Sequence, residues 1–520
     1  PFSSDDVKGI CGIAESTKSI NSIGRFGIGF KSVYAFTECP EIHSGDEHFS
    51  IGSFVWPLAI PPLGGVDSLT IFNLPLRSND ASAYDEISNG LCKLGGRTLL
   101  FLREIEEISW SVENGPSGLY LRDKPEPFGI SGRKVTVIGQ MQGLPEISDE
   151  TWLIFSREVK TQDGRHVGHV EIAFELSKQN NDSKSTIIPV TDSTLVVFFP
   201  TIVPTNFGLL VQGPYRTTPS RDNVPRNDPW NQYLIKETSS LIIETLRELR
   251  ENELLDANTL RCLPIDRTKY PEGNMFYPLF EAVRNALTTE SFLPCFGNGH
   301  TTARNARLGR TQEIRDLFDP RQLAQIHNEK SEIFWLSEDI TRDRMAELRR
   351  YLMLELGIIE MTSEMLIPKL TKVFLEAQTD TWVVKLYEFL NGQPSLQRQL
   401  DNIPIVRLED GTHVKAKKNG QVQAFLPSSI DTSFPTVRRT VCISVESRKL
   451  LESLGLREPD PVDDVIRNIL PKYANVTALI DDKNYSADIQ KILQAFATDS
   501  KLQREKLIDA LRKIGFIKAV

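Results

Sequence analysis

The sequence predicts a mixed α/β protein of the α+β class, and three observations lead to this prediction. Closely spaced glycines near the start are followed at once by an apolar, helix-compatible run. Strand-like alternation recurs between residues 41 and 199, and helical periodicity dominates after residue 256. A chain of 520 residues has room for about three domains with buried cores. We therefore predict domains at 1–125, 130–256 and 257–520.

The glycine-rich stretch near the N-terminus is the strongest local signal. Gly24, Gly27 and Gly29 let a ligand approach the backbone closely, and N–H groups that lead into a helix suit phosphate. The spacing alone supports a tightly packed turn about equally well. A P-loop is excluded because Phe30 separates Gly29 from Lys31. A dinucleotide-binding fingerprint is excluded because no strand-like run precedes the glycines.

Three segments, met in the same order, resemble a known family. The stretch Gly24–Tyr34 (GRFGIGFKSVY) resembles the glycine-rich box of the ninety-kilodalton heat-shock chaperones, and its arginine variant is similar to the sacsin-type branch of the same GHKL ATPase superfamily. Ile13–Ser16 resembles a chaperone motif upstream of that box. Leu69–Arg77 resembles the strand that carries their nucleotide-facing threonine. The resemblance implies an incomplete Bergerat-type ATP-binding sandwich in the first domain.

The resemblance also implies a set of ATP-binding positions. The glycines and the amides of Ile28 and Phe30 would hold the phosphates, and Thr70 would lie near the adenine. The full set is Ser16, Gly24, Phe26, Gly27, Ile28, Gly29, Phe30 and Thr70. A magnesium ion is implied, with its asparagine ligand and the general base upstream of Pro1 in an E-x-x-x-N helix and a D-x-G segment. We therefore expect the sequence to be a fragment that begins inside its own nucleotide site, inactive by itself.

The second domain is predicted from strand-like segments followed by a polar loop. An apolar strand leads into a proline-stiffened loop that carries Arg216 and Arg221, and Ser220-Arg221-Asp222 resembles the S-R-E loop of the chaperones' middle domain. A guanidinium suits the charge that develops on a departing phosphoryl group, so the resemblance implies a catalytic role for Arg221. Alternatively, the two arginines pair with Asp222 or Asp228 and only hold the loop. The proline-rich region at 124–127 predicts a linker before this domain.

The third domain is predicted to be mainly helical with short hairpins. Helical patterns cover 274–289, 341–356, 364–377 and 382–390. Between them lie short extended pieces, and the one at 403–408 runs into a turn sequence that predicts a hairpin. This alternation suggests a divergent repeat without a definable period.

Composition and charge limit the classes of function. Hydrophobic residues make up 40% and charged residues 25% of the chain, and no run of eighteen apolar residues occurs, so a membrane span is not expected. The net charge of −9 argues against a broad nucleic-acid-binding face. Six cysteines occur singly, which is typical of reduced thiols in an intracellular, cytoplasmic protein.

The resemblance implies an ATP-binding conformational switch or chaperone-like protein that hydrolyses ATP slowly when complete, with protein clients or partners bound by the helical half. The alternative is an ATPase-derived interaction scaffold without turnover. Glu15 stands where the chaperones often have a lysine, and the segment corresponding to their lid is short, which favours the scaffold. A DNA-acting relative ranks last, because such proteins use a lysine where this chain offers Arg221 and because the chain is acidic.

Overall fold

The computed structural model describes residues 1–12, 29–65, 69–77, 81–142, 148–161, 164–177, 185–218, 222–428, 434–474 and 482–517. The predicted mixed α/β class is confirmed. The chain forms two compact units, Pro1–Ala306 with Asp339–Ile358 and Arg307–Glu338 with Ile359–Val520. This division differs from the three predicted domain ranges, which stay predictions.

Most α-helices of the described residues lie after residue 228. In chain order they are α1 (Ser4–Cys11), α2 (Ala81–Lys93), α3 (Pro229–Glu251), α4 (Ala257–Arg261), α5 (Tyr277–Thr289), α6 (Gln312–Leu317), α7 (Pro320–His327), α8 (Ala346–Leu354), α9 (Ser363–Leu366), α10 (Lys372–Glu376), α11 (Asp380–Asn391), α12 (Gln397–Leu400), α13 (Val445–Ser453), α14 (Pro461–Asp464), α15 (Asp482–Ala495) and α16 (Lys501–Leu511).

The longer strands lie before residue 213, and short two- to four-residue strands follow. In chain order they are β1 (Glu41–Ser44), β2 (Glu47–Gly52), β3 (Trp56–Ala59), β4 (Thr70–Asn73), β5 (Glu107–Ser111), β6 (Ser117–Arg122), β7 (Glu126–Phe128), β8 (Gly132–Met141), β9 (Ser148–Lys160), β10 (His166–Leu176), β11 (Ile187–Ile188), β12 (Thr194–Val197), β13 (Phe199–Pro204), β14 (Leu210–Gln212), β15 (Leu293–Pro294), β16 (His300–Thr301), β17 (Ala306–Gly309), β18 (Phe334–Trp335), β19 (Glu360–Met361), β20 (Val406–Arg407), β21 (His413–Val414), β22 (Lys417–Lys418) and β23 (Gln421–Val422).

A four-stranded antiparallel sheet of order β3-β2-β1-β4 follows the 3₁₀ helix Phe30–Ala35 in the chain. The buried side chains of Ile42, Phe49 and Ile51 pack with Cys11 of α1 and with Tyr34. Apolar residues at strand spacing supply this core because alternate side chains of a strand point to one face. The small core therefore joins α1, the segment after Gly29 and the sheet.

A ten-stranded sheet forms the centre of the first unit. Its main path runs β13-β12-β14-β10-β9-β8-β6-β5, with β11 beside β10 and β7 beside β8. The long helix α3 packs against β9 and β10 through its apolar face, which includes Leu234, Ile242 and Leu249. The region predicted as a linker instead contains β7, which pairs with β8. Glu126 lies opposite Lys134 and Phe128 lies opposite Gly132, where the edge of β8 is open to a further strand. Strands on both sides of this region therefore share one sheet.

The predicted hairpin of the second unit is confirmed. Strands β20 and β21 pair with Val406 opposite Val414, and the turn contains Gly411 at a φ of +87°, a conformation that favours glycine. The Tyr387 hydroxyl on α11 donates a 2.8 Å hydrogen bond to the Ile405 carbonyl and accepts a 3.1 Å bond from the Arg407 N–H. This tyrosine fixes the hairpin to the helix.

One predicted helix of the second unit is divided. The pattern over 364–377 predicts a continuous helix, but α9 and α10 are separated by a 3₁₀ turn at Ile367–Lys369 and by extended backbone at Leu370. Pro368 has no N–H to donate and its ring clashes with the preceding turn, which interrupts an α-helix. The Thr371 hydroxyl then caps the new helix by accepting a 3.2 Å bond from the Phe374 N–H.

Candidate functional site

The structure places only part of the predicted ATP-binding set. Gly29, Phe30 and Thr70 belong to the described residues. The other predicted positions, Ser16, Gly24, Phe26, Gly27, Ile28 and the catalytic candidate Arg221, lie outside the described residues. For those six, the roles implied by the resemblance stay predictions.

Gly29 lies immediately before the 3₁₀ helix Phe30–Ala35 and has ordinary helical angles, φ −57° and ψ −46°. A Cβ added at Gly29 would meet no described atom within 4 Å. Neither a left-handed backbone nor contact with the described residues therefore requires a glycine here. An open backbone at the start of a helical turn is what close approach of a phosphate group needs.

Lys31, two residues after Gly29, is directed towards backbone carbonyls. Its Nζ donates to the carbonyls of Ile10 (2.9 Å), Cys11 (3.3 Å) and Phe54 (2.5 Å). Burial lowers the pKa of Lys31, while the nearby Cys11 thiol opposes this effect. Phe54 has a φ of +70°, so the lysine also holds a strained turn between β2 and β3. Lys31 thus ties α1 to that turn.

Thr70 opens β4 directly opposite Ser44 of β1, and the two hydroxyl oxygens are 2.6 Å apart. Ser44 also accepts a 2.9 Å hydrogen bond from the N–H of Phe2. Thr70 shares a strand face with Phe72, whose ring centroid lies 5.8 Å from that of Phe30. The structure therefore brings two predicted site residues, Phe30 and Thr70, to the same part of the four-stranded sheet.

The loop after β14 is held by the first turn of α3. The Arg216 guanidinium lies 3.3 Å from the Asp228 carboxylate, and the Arg216 N–H donates a 2.8 Å bond to the Asn231 side chain. Although burial opposes the effect, the N–H groups of Asn231 and Trp230 together with Arg216 lower the pKa of Asp228. For Arg216 the structure thus shows the pairing with Asp228 that the alternative interpretation predicts.

Asn231, in the first turn of α3, is a residue that holds this loop and that sequence analysis missed. It is fully buried, and its amide donates to the carbonyls of Arg216 (2.9 Å) and Pro225 (3.0 Å). The sequence Asp228-Pro229 is typical of a helix start and signals where α3 begins. It contains no signal that an amide in this turn bonds to both ends of a preceding loop.

The described residues form neither a metal-ligand cluster nor a membrane-spanning helix. No group of three or more His, Cys, Asp or Glu side chains in that part of the chain could hold a metal ion. No described helix combines the length and apolar character needed to cross a bilayer. The six cysteines, all within the described ranges, are free thiols. Magnesium therefore stays a prediction that is tied to ligands outside these residues.

Comparison with known proteins supports a relation to sacsin-type proteins. Residues 1–52 match the family described as the sacsin domain. The chain is 25% identical to Protein NO VEIN of Arabidopsis thaliana in an alignment of 279 residues that covers 47% of this chain and 10% of that protein. It is 30% identical to Sacsin of Homo sapiens in an alignment of 154 residues that covers 21% of this chain and 3% of that protein.

The chain spans a tenth or less of the length of these two relatives. No solved structure matches it significantly. The sacsin-domain match includes the whole glycine-rich stretch from Gly24 to Tyr34. The first part of the chain is therefore similar to sacsin-type proteins.

Proposed function

We propose that this chain is part of an ATP-binding conformational switch or chaperone-like protein of the heat-shock-protein-90/sacsin type, which hydrolyses ATP slowly when complete. The observation that carries the proposal is the sacsin-domain match over residues 1–52, because this match contains all three glycines of the box. The match supports a shared fold around the glycines, and the nucleotide is our inference from that relation.

The described residues fit an ATP phosphate tail in two respects. Among the described residues, no atom crowds the backbone at Gly29, and no side chain caps the first N–H groups of the helical turn that follows it. Thr70 carries a hydroxyl on β4, and Phe72 of the same strand packs against the ring of Phe30. In the proposal, the amides of Ile28 and Phe30 bind the phosphates and Thr70 contacts the adenine.

Arg221 is assigned to the γ-phosphate in this proposal. Arg216 is held by Asp228 and Asn231, which leaves Arg221 as the candidate of the two for phosphate contact. A guanidinium there would stabilise the negative charge that builds up during phosphoryl transfer to water. Mg²⁺, bound by ligands outside the described residues, would neutralise charge on the phosphates.

Slow turnover would serve conformational change, and the mainly helical C-terminal half, residues 257–520, would bind protein clients or partners. We place this activity in the cytoplasm, as the single cysteines suggest. Nucleic acid is not expected as a partner, because the net charge is −9.

The test is ATP binding and phosphate release by the protein with its upstream region included, together with Gly27→Asp and Arg221→Ala variants. We expect Gly27→Asp to abolish binding, because a carboxylate would face the phosphates. We expect Arg221→Ala to bind ATP but to lose two to three orders of magnitude in turnover. Matched controls are Gly64→Asp, at an exposed glycine, and Arg226→Ala, at a neighbouring arginine bonded to the Gly273 carbonyl.

The proposal is wrong if Gly27→Asp and Arg221→Ala both behave like the parent. The alternative scaffold function rests on Glu15 and the short lid-like segment of the sequence. It predicts equal affinity for ATP and ADP and no phosphate release from the parent protein. The same measurements therefore separate the two functions.

A further inference from the structure

A small cavity of about 220 Å³ opens on the ten-stranded sheet of the first unit. Three arginines, Arg103, Arg122 and Arg133, line it together with a single acid, Glu171, and apolar side chains. Arg122 ends β6, Arg133 lies on β8 and Glu171 on β10, so the sheet brings together charges that are far apart in the sequence. None of these residues belongs to the proposed ATP site.

One of the three cations is balanced by the acid. Arg133 Nη2 lies 2.8 Å from Glu171 Oε1, and Arg133 Nη1 donates a 2.6 Å bond to the Ser156 hydroxyl. Glu171 is only 1% exposed and also accepts a 3.4 Å bond from the Gln212 amide. A buried carboxylate needs such partners, so Arg133 and Glu171 form a neutral pair.

Arg122 is a second, fixed cation, and no described carboxylate pairs with it. Its Nη1 and Nη2 donate to the carbonyls of Leu99, Leu102 and Arg103. Its Nε is buried and has no hydrogen-bond partner among the described residues. Burial lowers the pKa of Arg122, and the charge of Glu106, outside the cavity, acts in the opposite direction. The guanidinium stays charged and is held rigidly at the cavity wall.

Arg103 is the third cation, and it lies at the mouth of the cavity. Its Nη2 is 2.7 Å from Nδ1 of His169 and 4.0 Å from Glu171 Oε1, an oxygen already bonded to Arg133. Burial lowers the pKa of His169, and Arg103 lowers it further, so the imidazole accepts from Arg103 as a neutral group. Arg103 is 57% exposed and can reach a ligand from solvent.

We propose that this cavity binds a small phosphate-type oxyanion, with Arg103 and Arg122 as its cationic contacts. Three guanidinium groups face one carboxylate, and a dianion would balance the difference. Guanidinium groups bind such oxyanions through several directed, charge-assisted hydrogen bonds. The volume is below the ~300 Å³ at which pockets for drug-sized molecules begin, so the cavity suits a phosphate group without an attached nucleoside.

The test is a calorimetric titration of the 520-residue chain with sodium phosphate at constant ionic strength. We expect saturable binding that Arg103→Gln weakens at least about tenfold, since a hydrogen bond to a charged group is lost. The matched control is Arg267→Gln, because Arg267 is 56% exposed and also lies in the first unit, beside Glu355. This control should bind phosphate like the parent.

The thermal unfolding of Arg103→Gln without phosphate checks that the variant is folded. Arg103→Lys keeps the charge and provides a second variant, whose affinity for phosphate should be intermediate. The proposal is overturned if the parent shows no saturable binding at millimolar phosphate. It is also overturned if Arg103→Gln and Arg267→Gln bind phosphate equally.

A second titration, with ATP and the protein that includes its upstream region, identifies the source of the phosphate group. If Arg103→Gln weakens phosphate binding and leaves ATP binding unchanged, the ligand is free phosphate. If Arg103→Gln weakens the binding of both phosphate and ATP, while Gly27→Asp leaves the binding of free phosphate unchanged, the cavity holds the end of a nucleotide's phosphate tail. Either result supports the oxyanion site. If Gly27→Asp does not change ATP binding, this contradicts only the proposed ATPase function and not the oxyanion site.

Discussion

The Glu248 carboxylate on α3 binds Ser131 twice, accepting a 2.9 Å hydrogen bond from its N–H and a 2.8 Å bond from its hydroxyl. It also accepts from the N–H of Ile130. The same turn contains Gly129 at a φ of +57°, where a Cβ would collide with this carboxylate. One buried acid therefore connects the long helix to the turn between β7 and β8.

We predict that Glu248→Gln destabilises the first unit by about 1.5–3 kcal/mol. The three donors would lose a charged acceptor, and hydrogen bonds to charged groups contribute about this much. The measurement is urea unfolding, with Glu251→Gln, at the exposed end of the same helix, as the control. Equal midpoints for the two variants would contradict a role of Glu248 in holding the turn.

We predict that Lys31→Met loosens α1 and the turn at Phe54. Three backbone carbonyls lose their common charged donor, and the left-handed conformation of Phe54 loses support. In hydrogen exchange, the free energy of opening of α1 should be about 2 kcal/mol lower in the variant than in the parent. Lys93→Met, at the exposed end of α2, should leave the exchange of α1 unchanged. Unchanged protection in Lys31→Met would show that these bonds are dispensable.

We predict that Thr70→Val weakens ATP binding about fivefold and costs about 1 kcal/mol of stability. The substitution keeps the shape of the side chain and removes the hydroxyl bonded to Ser44. Binding is measured by calorimetry on the protein with its upstream region. Thr288→Val, at an exposed position of α5, serves as the control. An unchanged ATP affinity would remove Thr70 from the proposed site.

We predict that the β20–β21 hairpin of the second unit loses stability as the pH falls below about 6.5. Burial is the main cause that lowers the pKa of His413, the Pro404 carbonyl opposes it and the charge of Arg407 assists it, and the result is a pKa of about 4. Between about pH 6.5 and about pH 4, His413 binds a proton in the unfolded chain but not in the folded chain, so acid favours unfolding. The full loss is about 3 kcal/mol.

The measurement is the free energy of hairpin opening by hydrogen exchange, corrected for intrinsic rates, at about pH 7 and about pH 5. His413→Gln keeps a donor and an acceptor but does not titrate, so its opening energy should vary less with pH than that of the parent. His166→Gln, at a half-exposed histidine of β10, should behave like the parent. Identical pH slopes for the parent and His413→Gln would contradict the prediction.

Local patterns predicted many elements of the fold well. Strand β1 begins at Glu41, where the predicted strand-like alternation begins, and the turn sequence ending at Thr412 does lie within a hairpin. These features depend on residues within a few positions of one another, so the sequence alone contains their cause. The pairing of β7 was missed because it depends on an edge of β8 that becomes available only when the sheet forms.

The sequence by itself determined the mixed α/β class, the glycine spacing at residues 24–29 and the resemblance that leads to a nucleotide hypothesis. Only the tertiary structure decided that Lys31 binds carbonyls, that Arg216 pairs with Asp228 and that three arginines meet around Glu171. The physical reason is the range of the interactions. Backbone preferences act between neighbours in the chain, whereas the partner of a charged side chain is chosen by which strands and helices the buried core brings together.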